Sequence, residues 1–447
     1  MKKNYFLLTL ALLLSLGIRA QEVAFEEYNL DNGLHVILHQ DNGAPVVTTG
    51  VMYHIGAKDE VAGRSGFAHF FEHLLFEGTE NIERGKWFDI VSANGGSNNA
   101  NTTQDRTYYY EVFPSNSLEL GLWMESERMM HPVINKIGVD TQNEVVKEEK
   151  RQRIDNAPYG KIIYRTGVNK HIFNKHSYKN SVIGSMEDLD AAELSEFIDF
   201  NKKFYNPNNA VLVVAGDINI AETKKMVQDY YGPIKNNAEK FVRTKIEEDP
   251  ITEPIKVTEY DSNIQIPLKA LVYRTPGMTE RDSYVLDYIS TILTGGKSSR
   301  LYKKMVDDKK MALQVLAFSD AQEDYGTYIM GALPIGDVTL DDLAKDMDEE
   351  IVKLQTELIS DKELQKLKNQ FENQFVNSNS SIQGIANSLA RNFMLKGDTN
   401  LINKEIEIYR AISKEDIMRV AKKYLNENQR LDLDYLPESA KEVGDSK

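Results

Sequence analysis

His69-Phe70-Phe71-Glu72-His73 places two imidazoles four residues apart with a carboxylate between them. On a helix, residues four apart stack one turn from each other, so both rings can reach a single ion. Glu72 projects beside that face, where it can take a proton from a polarised water without ligating the ion itself. The flanking Phe70, Phe71, Leu74, Leu75 and Phe76 make residues 66–76 apolar almost all round, which predicts a buried helix. Two histidines and a carboxylate in such a helix are costly unless a metal or hydrogen-bond partners satisfy them. Core histidines bonded to neighbours beside a coincidental glutamate are the other way to account for the motif. The chain has no cysteine, so zinc fingers, iron–sulfur clusters, thiol nucleophiles and disulfides are excluded and any metal must be held by His, Asp or Glu.

His-x-x-Glu-His is the inverted form of the zinc-protease motif. Catalytic zinc takes three protein ligands and keeps one position open, so a third donor must come from elsewhere. A helix predicted over residues 139–154 offers Glu144, Glu148 and Glu149. If Val145 and Val146 set its apolar direction, Glu149 lies almost on that direction at about 100° per residue, whereas Glu148 falls about 110° and Glu144 about 150° away. Glu149 is therefore the expected third ligand. Gln142, seven residues earlier on the same face, is expected to support the ligands by hydrogen bonding.

These residues must be positioned by the elements around them. Alternating apolar residues across 28–56, interrupted by Asp41-Asn42-Gly43, predict paired strands. Helical spacing follows over 83–93, 117–130 and 188–204, with a strand at 107–113. Ala210-Val211-Leu212-Val213-Val214 reads as a strand, and the acidic, proline-bearing residues 247–254 read as a linker. An internal echo supports a division there. A helix, Phe204-Tyr205-Asn206-Pro207-Asn208-Asn209 and a strand close the first part; a helix at 414–423, Tyr424-Leu425-Asn426-Glu427-Asn428-Gln429 and a strand at 430–435 close the second. The expected fold is α+β, in two homologous halves, each a mainly antiparallel sheet packed with helices, spanning 21–246 and 247–447.

Residues 1–20 read as a cleaved secretory signal, with Lys2-Lys3 ahead of a short apolar run that ends near Ala20. The run is shorter than the roughly 20 residues a membrane span needs, so an exported, periplasmic protein without a stable membrane anchor is expected. A formal charge of −15 argues against a nucleic-acid partner. Gly295-Gly296-Lys297-Ser298 lacks the upstream glycine of a phosphate loop, since Thr291 stands in that place. Gly95-Gly96 and Asn98-Asn99 form a turn signal, and the short polar side chains of 100–103 suit an edge strand able to pair with an extended peptide.

The mature chain resembles the pitrilysin/insulinase-type metallopeptidases, which include the mitochondrial processing peptidase. The likeness runs from Gly63-Arg64-Ser65-Gly66-Phe67-Ala68 through the His69–His73 motif to Leu74-Leu75-Phe76-Glu77-Gly78-Thr79. It continues in Gly95-Gly96-Ser97-Asn98-Asn99-Ala100, Tyr205-Asn206-Pro207-Asn208-Asn209 and Gly295-Gly296-Lys297-Ser298-Ser299-Arg300-Leu301. The resemblance implies one zinc ion per chain on His69, His73 and Glu149, with Glu72 as general base. It further implies a peptide held along Asn99 and Ala100, and peptide hydrolysis in a closed chamber. It also exposes a departure. Family members able to act alone, or their metal-free partner subunits, carry an Arg and a Tyr seven residues apart in the second half; the matching positions here are Val306 and Leu313, with Arg300 and Tyr302 as the nearest substitutes. A heterodimer with a homologous subunit supplying that pair is therefore expected, with a second copy of this chain as the alternative partner. A non-catalytic peptide-binding or structural subunit of the same fold is the competing reading, against which the intact metal and base residues count.

Overall fold

The computed structural model describes residues 22–441, and the predicted leader lies outside them. Two sheets organise the chain. The first has six strands in the order β1 (Glu26–Asn29), β2 (His35–Gln40), β6 (Ala210–Gly216), β3 (Val46–Tyr53), β5 (Thr107–Pro114) and β4 (Ser97–Thr102). The second has five, in the order β7 (Ile255–Asp261), β11 (Arg430–Pro437), β8 (Leu268–Pro276), β10 (Tyr325–Pro334) and β9 (Ala312–Ala321). β2 runs parallel to β6 and β7 parallel to β11, while all other neighbours are antiparallel. Leaving β1 aside, the two orders superimpose strand for strand, so the chain is a mainly antiparallel α+β unit built twice. The echoed endings fall at equivalent places: helices Leu194–Phe204 and Lys414–Tyr424 each run through a short 3-10 turn into β6 and β11.

β6 is buried along its whole length because both faces of its sheet are covered. Leu212 and Val214 point into a core built with the first half's own helices. Val211, Val213 and Ala215 point the other way, against Ile385, Ala386, Leu389 and Ala390 of helix Ile382–Lys396 from the second half. The exchange is reciprocal: Val168, Ile172, Phe173 and Tyr178 of the first half pack on Val272, Ile329, Leu431 and Leu433 of the second sheet.

Several predicted elements shift. The helix expected over 83–93 begins at Trp87, because Gly85 takes a left-handed φ of 78°. The helix expected over 188–204 is two, Met186–Asp190 and Leu194–Phe204, each with its own start: Ser185 Oγ accepts the Asp188 N–H at 3.0 Å, and Glu193 forms a capping box with Glu196. The helix expected over 139–154 spans Lys136–Lys150 and then widens into a single wide turn, with the Asn156 N–H donating to the Arg151 carbonyl at 2.8 Å. Residues 247–254 form neither helix nor strand, yet they do not hang free. One oxygen of Glu248 accepts the N–H groups of Asn174, Lys175 and His176 at 2.9, 2.7 and 2.6 Å.

Candidate metal centre and substrate cavity

The histidines lie on a helix of eight residues, Phe67–Leu74. So short a helix is marginal by itself, and its neighbours hold both ends. At the start, the buried Glu60 carboxylate accepts the N–H groups of Gly66 and Ala68 at 2.9 and 2.8 Å. Gly66 has φ 92° and touches Gly184 so closely that a Cβ would stand 2.7 Å from the Ile183 carbonyl oxygen. At the far end, the fully buried Arg128 guanidinium donates to the Leu75 carbonyl at 2.9 Å. Arg128 is stacked between Trp87, Phe76 and Tyr109 and paired with Glu125 and Glu111. Beneath the helix, Phe67 stacks on Phe197 at 4.6 Å and Phe71 meets Tyr205 at 4.5 Å. The helix is therefore buried on its phenylalanine face, not all round; His69, Glu72 and His73 line a cavity of about 640 Å³ between the two halves.

The structure brings the three expected ligands together. Glu149 Oε2 lies 3.5 Å from His69 Nε2 and 3.2 Å from His73 Nε2. It is buried and, among the described residues, has no hydrogen-bond partner. One donor atom from each of the three residues can be chosen so that all lie within 4.8 Å of one another. Ligand bonds of about 2.0–2.2 Å around a tetrahedral ion separate neighbouring donors by about 3.3–3.5 Å, so this orphaned oxygen between two imidazoles fits a zinc ion. Burial, aided by His73 and Arg153, pushes the His69 imidazole down to about 4, which keeps it neutral and able to ligate. Burial acts to raise the Glu149 carboxyl, but His73, His69 and Arg153 outweigh it and hold the group below its ordinary value. The other Glu149 oxygen takes Arg153 Nη1 at 2.9 Å.

Glu149 is 17% exposed, against 54% for Glu148 and 69% for Glu144, which pairs with Lys147. Sequence reasoning chose the inward carboxylate, yet one of its reference residues is misplaced: Val146 is buried, whereas Val145 is 44% exposed. Gln142 is a correction. Its side chain donates to Glu77 Oε1 at 2.5 Å and bonds none of the three ligands. Two helical turns keep Gln142 on the azimuth of Glu149 but separate them by roughly 10 Å along the axis.

Glu72 receives a hydrogen bond from the Thr102 hydroxyl at 2.5 Å. Burial raises its carboxyl, and the Thr102 hydrogen bond opposes that rise. β4, which carries Thr102, is the outer strand of the first sheet, and Asn99 and Ala100 line the cavity with it. Along this edge, Asn99 Oδ1 accepts the Ala100 N–H at 2.9 Å, and Arg106 Nη1 donates to the Asn101 carbonyl at 2.8 Å. Thr102, Arg106 and Arg153 escaped the sequence reading, although the alternation along β4 and the i,i+4 spacing from Glu149 carried a signal for Thr102 and Arg153.

In the second half, Val306 packs against the hydrophobic core and Leu313 is 52% exposed; neither lines the cavity. The proposed substitutes do not take their place. Arg300 is tied to Glu363 at 3.0 and 2.7 Å, and Tyr302 packs on the second core. The second half reaches the cavity instead through Met278, Asp320, Ala321, Gln322, Arg391 and Leu395.

The structure is a doubled α+β unit in which, among the described residues, only the first copy carries a two-histidine, one-carboxylate cluster able to hold a metal ion. The chain belongs to peptidase family M16, the insulinase family. Residues 35–185 match its description "Insulinase (Peptidase family M16)" and residues 191–371 match "Peptidase M16 inactive domain". The zinc protease PqqE of Helicobacter pylori is 28% identical over 428 residues, covering 94% of this chain and 96% of that protein. The uncharacterized zinc protease YmxG of Bacillus subtilis is 24% identical, covering 91% and 97%. Among solved structures, a protease from Helicobacter pylori has a TM-score of 0.86 at 27% identity, covering 92% of this chain and 99% of that one. The first half of the periplasmic protease PqqL from Escherichia coli shares the fold, with a TM-score of 0.76 at 18% identity, covering 94% and 93%.

Proposed function

We propose that the chain is a zinc-dependent endopeptidase acting on peptides or unfolded polypeptides, with one zinc ion held by His69, His73 and Glu149. The observation that carries this reading is the buried, unpartnered Glu149 Oε2 at 3.2 and 3.5 Å from two imidazole nitrogens. When bound there, zinc supplies Lewis-acid chemistry, polarising a carbonyl and acidifying water. Glu72 moves the proton: its carboxylate accepts one from the attacking water and returns it to the leaving amine. Thr102 orients the Glu72 carboxylate, and the edge of β4 at Asn99 and Ala100 pairs with the peptide backbone, giving affinity that depends little on substrate sequence. We divide the chain at 246/247 into a zinc-binding half and a metal-free half.

A homologous second subunit is proposed to complete the site, because Val306 and Leu313 offer no side-chain donor to a scissile carbonyl. The apolar leader behind Lys2-Lys3 and the likeness to a periplasmic protease of Escherichia coli support export to the periplasm. Metal analysis with a chelator-sensitive peptide assay tests the whole reading. Glu72→Gln is expected to keep zinc and lose at least 100-fold in turnover. Glu149→Ala is expected to lose the metal, and Glu148→Ala to retain it. Near-normal turnover in Glu72→Gln, or full zinc in Glu149→Ala, would refute the assignment. A single chain that cuts as fast alone as with any homologous subunit added would remove the partner.

A further inference from the structure

Most charges around the cavity are paired. Arg153 meets Glu149 at 2.9 Å, Arg165 meets Asp320 at 2.8 Å and Asp105 meets Lys58 at 3.1 Å. Two guanidiniums are exceptions. Arg106, in the turn between β4 and β5, donates to Asn101 but has no carboxylate within ion-pairing distance among the described residues. Arg391 makes neither an ion pair nor a side-chain hydrogen bond among the described residues. It stands on helix Ile382–Lys396, whose apolar side is locked onto the first sheet, so its place in the cavity is fixed by that exchange. Arg391 also borders a neighbouring cavity with Glu405 and Tyr409, and the acids near it there are already engaged: Asp287 accepts the Tyr409 hydroxyl at 2.8 Å, and Glu405 pairs with Lys396.

Both arginines line the same cavity as Glu72 and His73; the charge of Arg391 opposes that of Arg106, and the Glu72 and Asp105 carboxylates offset part of that opposition. Across a space they share with one carboxylate free of ion pairs among the described residues, Glu72, two half-buried guanidiniums still leave an excess of positive charge, which an entering anion would offset. Guanidinium does not lose its proton in proteins, and its planar fork matches a carboxylate through two parallel hydrogen bonds.

We propose that Arg106 and Arg391 form a carboxylate-binding subsite. It selects peptides that carry a C-terminal carboxylate or an Asp or Glu side chain close to the bond to be cut. The subsite rests on the peptidase reading and specifies its substrate class. A net charge of −15 would favour cationic peptides only weakly, since surface fields are screened within about 10 Å at 0.1 M salt, and a pair of guanidiniums inside the cavity outweighs it locally.

The test is fluorescence anisotropy of labelled peptides on the purified Glu72→Gln chain, where binding is read without turnover. Three peptides are compared: one with an internal Glu and a free C-terminus, its C-terminal amide, and its Glu→Gln form. Neutralising the recognised carboxylate is expected to weaken binding about tenfold or more, and the peptide that loses affinity identifies the source of the carboxylate. Arg391→Gln and Arg106→Gln are each expected to erase the difference, with Arg391→Lys restoring part of it. Equal affinity for all three peptides, no binding of any, or a difference that survives in both Gln variants would overturn the subsite. A chain that binds acidic peptides selectively yet cuts none when wild type and zinc-loaded refutes the peptidase reading alone. A chain that cuts acidic and neutral peptides equally well, without selective binding, refutes the subsite alone.

Discussion

Glu72 can serve as a base only if its carboxylate is held toward the cavity, and Thr102 is the side chain that holds it. The 2.5 Å hydrogen bond from the Thr102 hydroxyl reaches Oε2, and Thr107 stands behind Thr102 with its own hydroxyl donated to the Ile55 carbonyl at 2.9 Å. A hydrogen bond to a charged group is worth about 1.5–3 kcal/mol, so Thr102→Val, which keeps the shape of the side chain, is expected to lower kcat by about tenfold or more. KM and zinc content should stay near wild type, and Thr102→Ser should retain most of the activity. Steady-state kinetics on the three proteins decide the matter, and a Thr102→Val enzyme with unchanged kcat would remove Thr102 from the mechanism. The histidines, Glu72 and Glu149 were legible in the sequence because helical periodicity carries information over one or two turns. Arg391 was not legible: it lies 318 residues beyond His73, and no local pattern says which helix will cross to the other half.

At the scale of the element, an eight-residue helix depends on what grips it. Arg128 is the most consequential grip, since it closes the carbonyl end of the helix while sitting fully buried among three aromatic rings and two carboxylates. Removing one partner from a buried ionic cluster leaves uncompensated charge and costs about 3–5 kcal/mol. Arg128→Met keeps much of the volume but strands Glu111 and Glu125, so its urea unfolding midpoint is expected to fall markedly below wild type. Arg128→Met combined with Glu111→Gln and Glu125→Gln should recover a substantial part of the loss. If Arg128→Met alone unfolds at the wild-type midpoint, the cluster does not support the helix. The sequence displayed the apolar face that Phe67, Phe70 and Phe71 bury, but a helix with polar ligands at every third or fourth place looked apolar all round. Only the packed structure reveals which side meets Phe197 and Tyr205 and which side meets the cavity.

At the scale of the whole molecule, a charge cluster joins the two halves beside the cavity. Lys58, almost fully buried, gathers Asp105 of the first half at 3.1 Å with Glu323 at 2.6 Å and Asp324 at 2.9 Å from the β9–β10 turn. His54 faces Glu323 at 2.9 Å, His176 faces Asp324 at 3.2 Å, and the Tyr178 hydroxyl accepts the Asp324 N–H at 3.1 Å. His176 and Lys58 hold Asp324 far below the ordinary carboxylate range; Glu323 is held down too, as His54 and Lys58 outweigh its burial. Lys58 is held above its ordinary value: burial works against its charge, but the three carboxylates prevail. Depressed carboxylates contribute stability that is complete above their unfolded values near pH 4 and is lost as pH falls through the folded values. The raised lysine contributes stability that is complete below about pH 10.4 and is lost as pH rises through its folded value. The carboxylate contribution to the cluster therefore weakens in acid, and the lysine contribution weakens only in strong base. Amide hydrogen exchange, corrected for the intrinsic rate at each pH, should show the Glu323 and Asp324 amides progressively losing protection as pH falls below about 4, before Leu271 and Val272 of β8 do. That order is expected because the turn opens when the carboxylates protonate, whereas β8 is held by two neighbouring strands and by apolar packing on both faces. Simultaneous loss at both places would mean that hydrophobic exchange between the halves, rather than Lys58, joins them there.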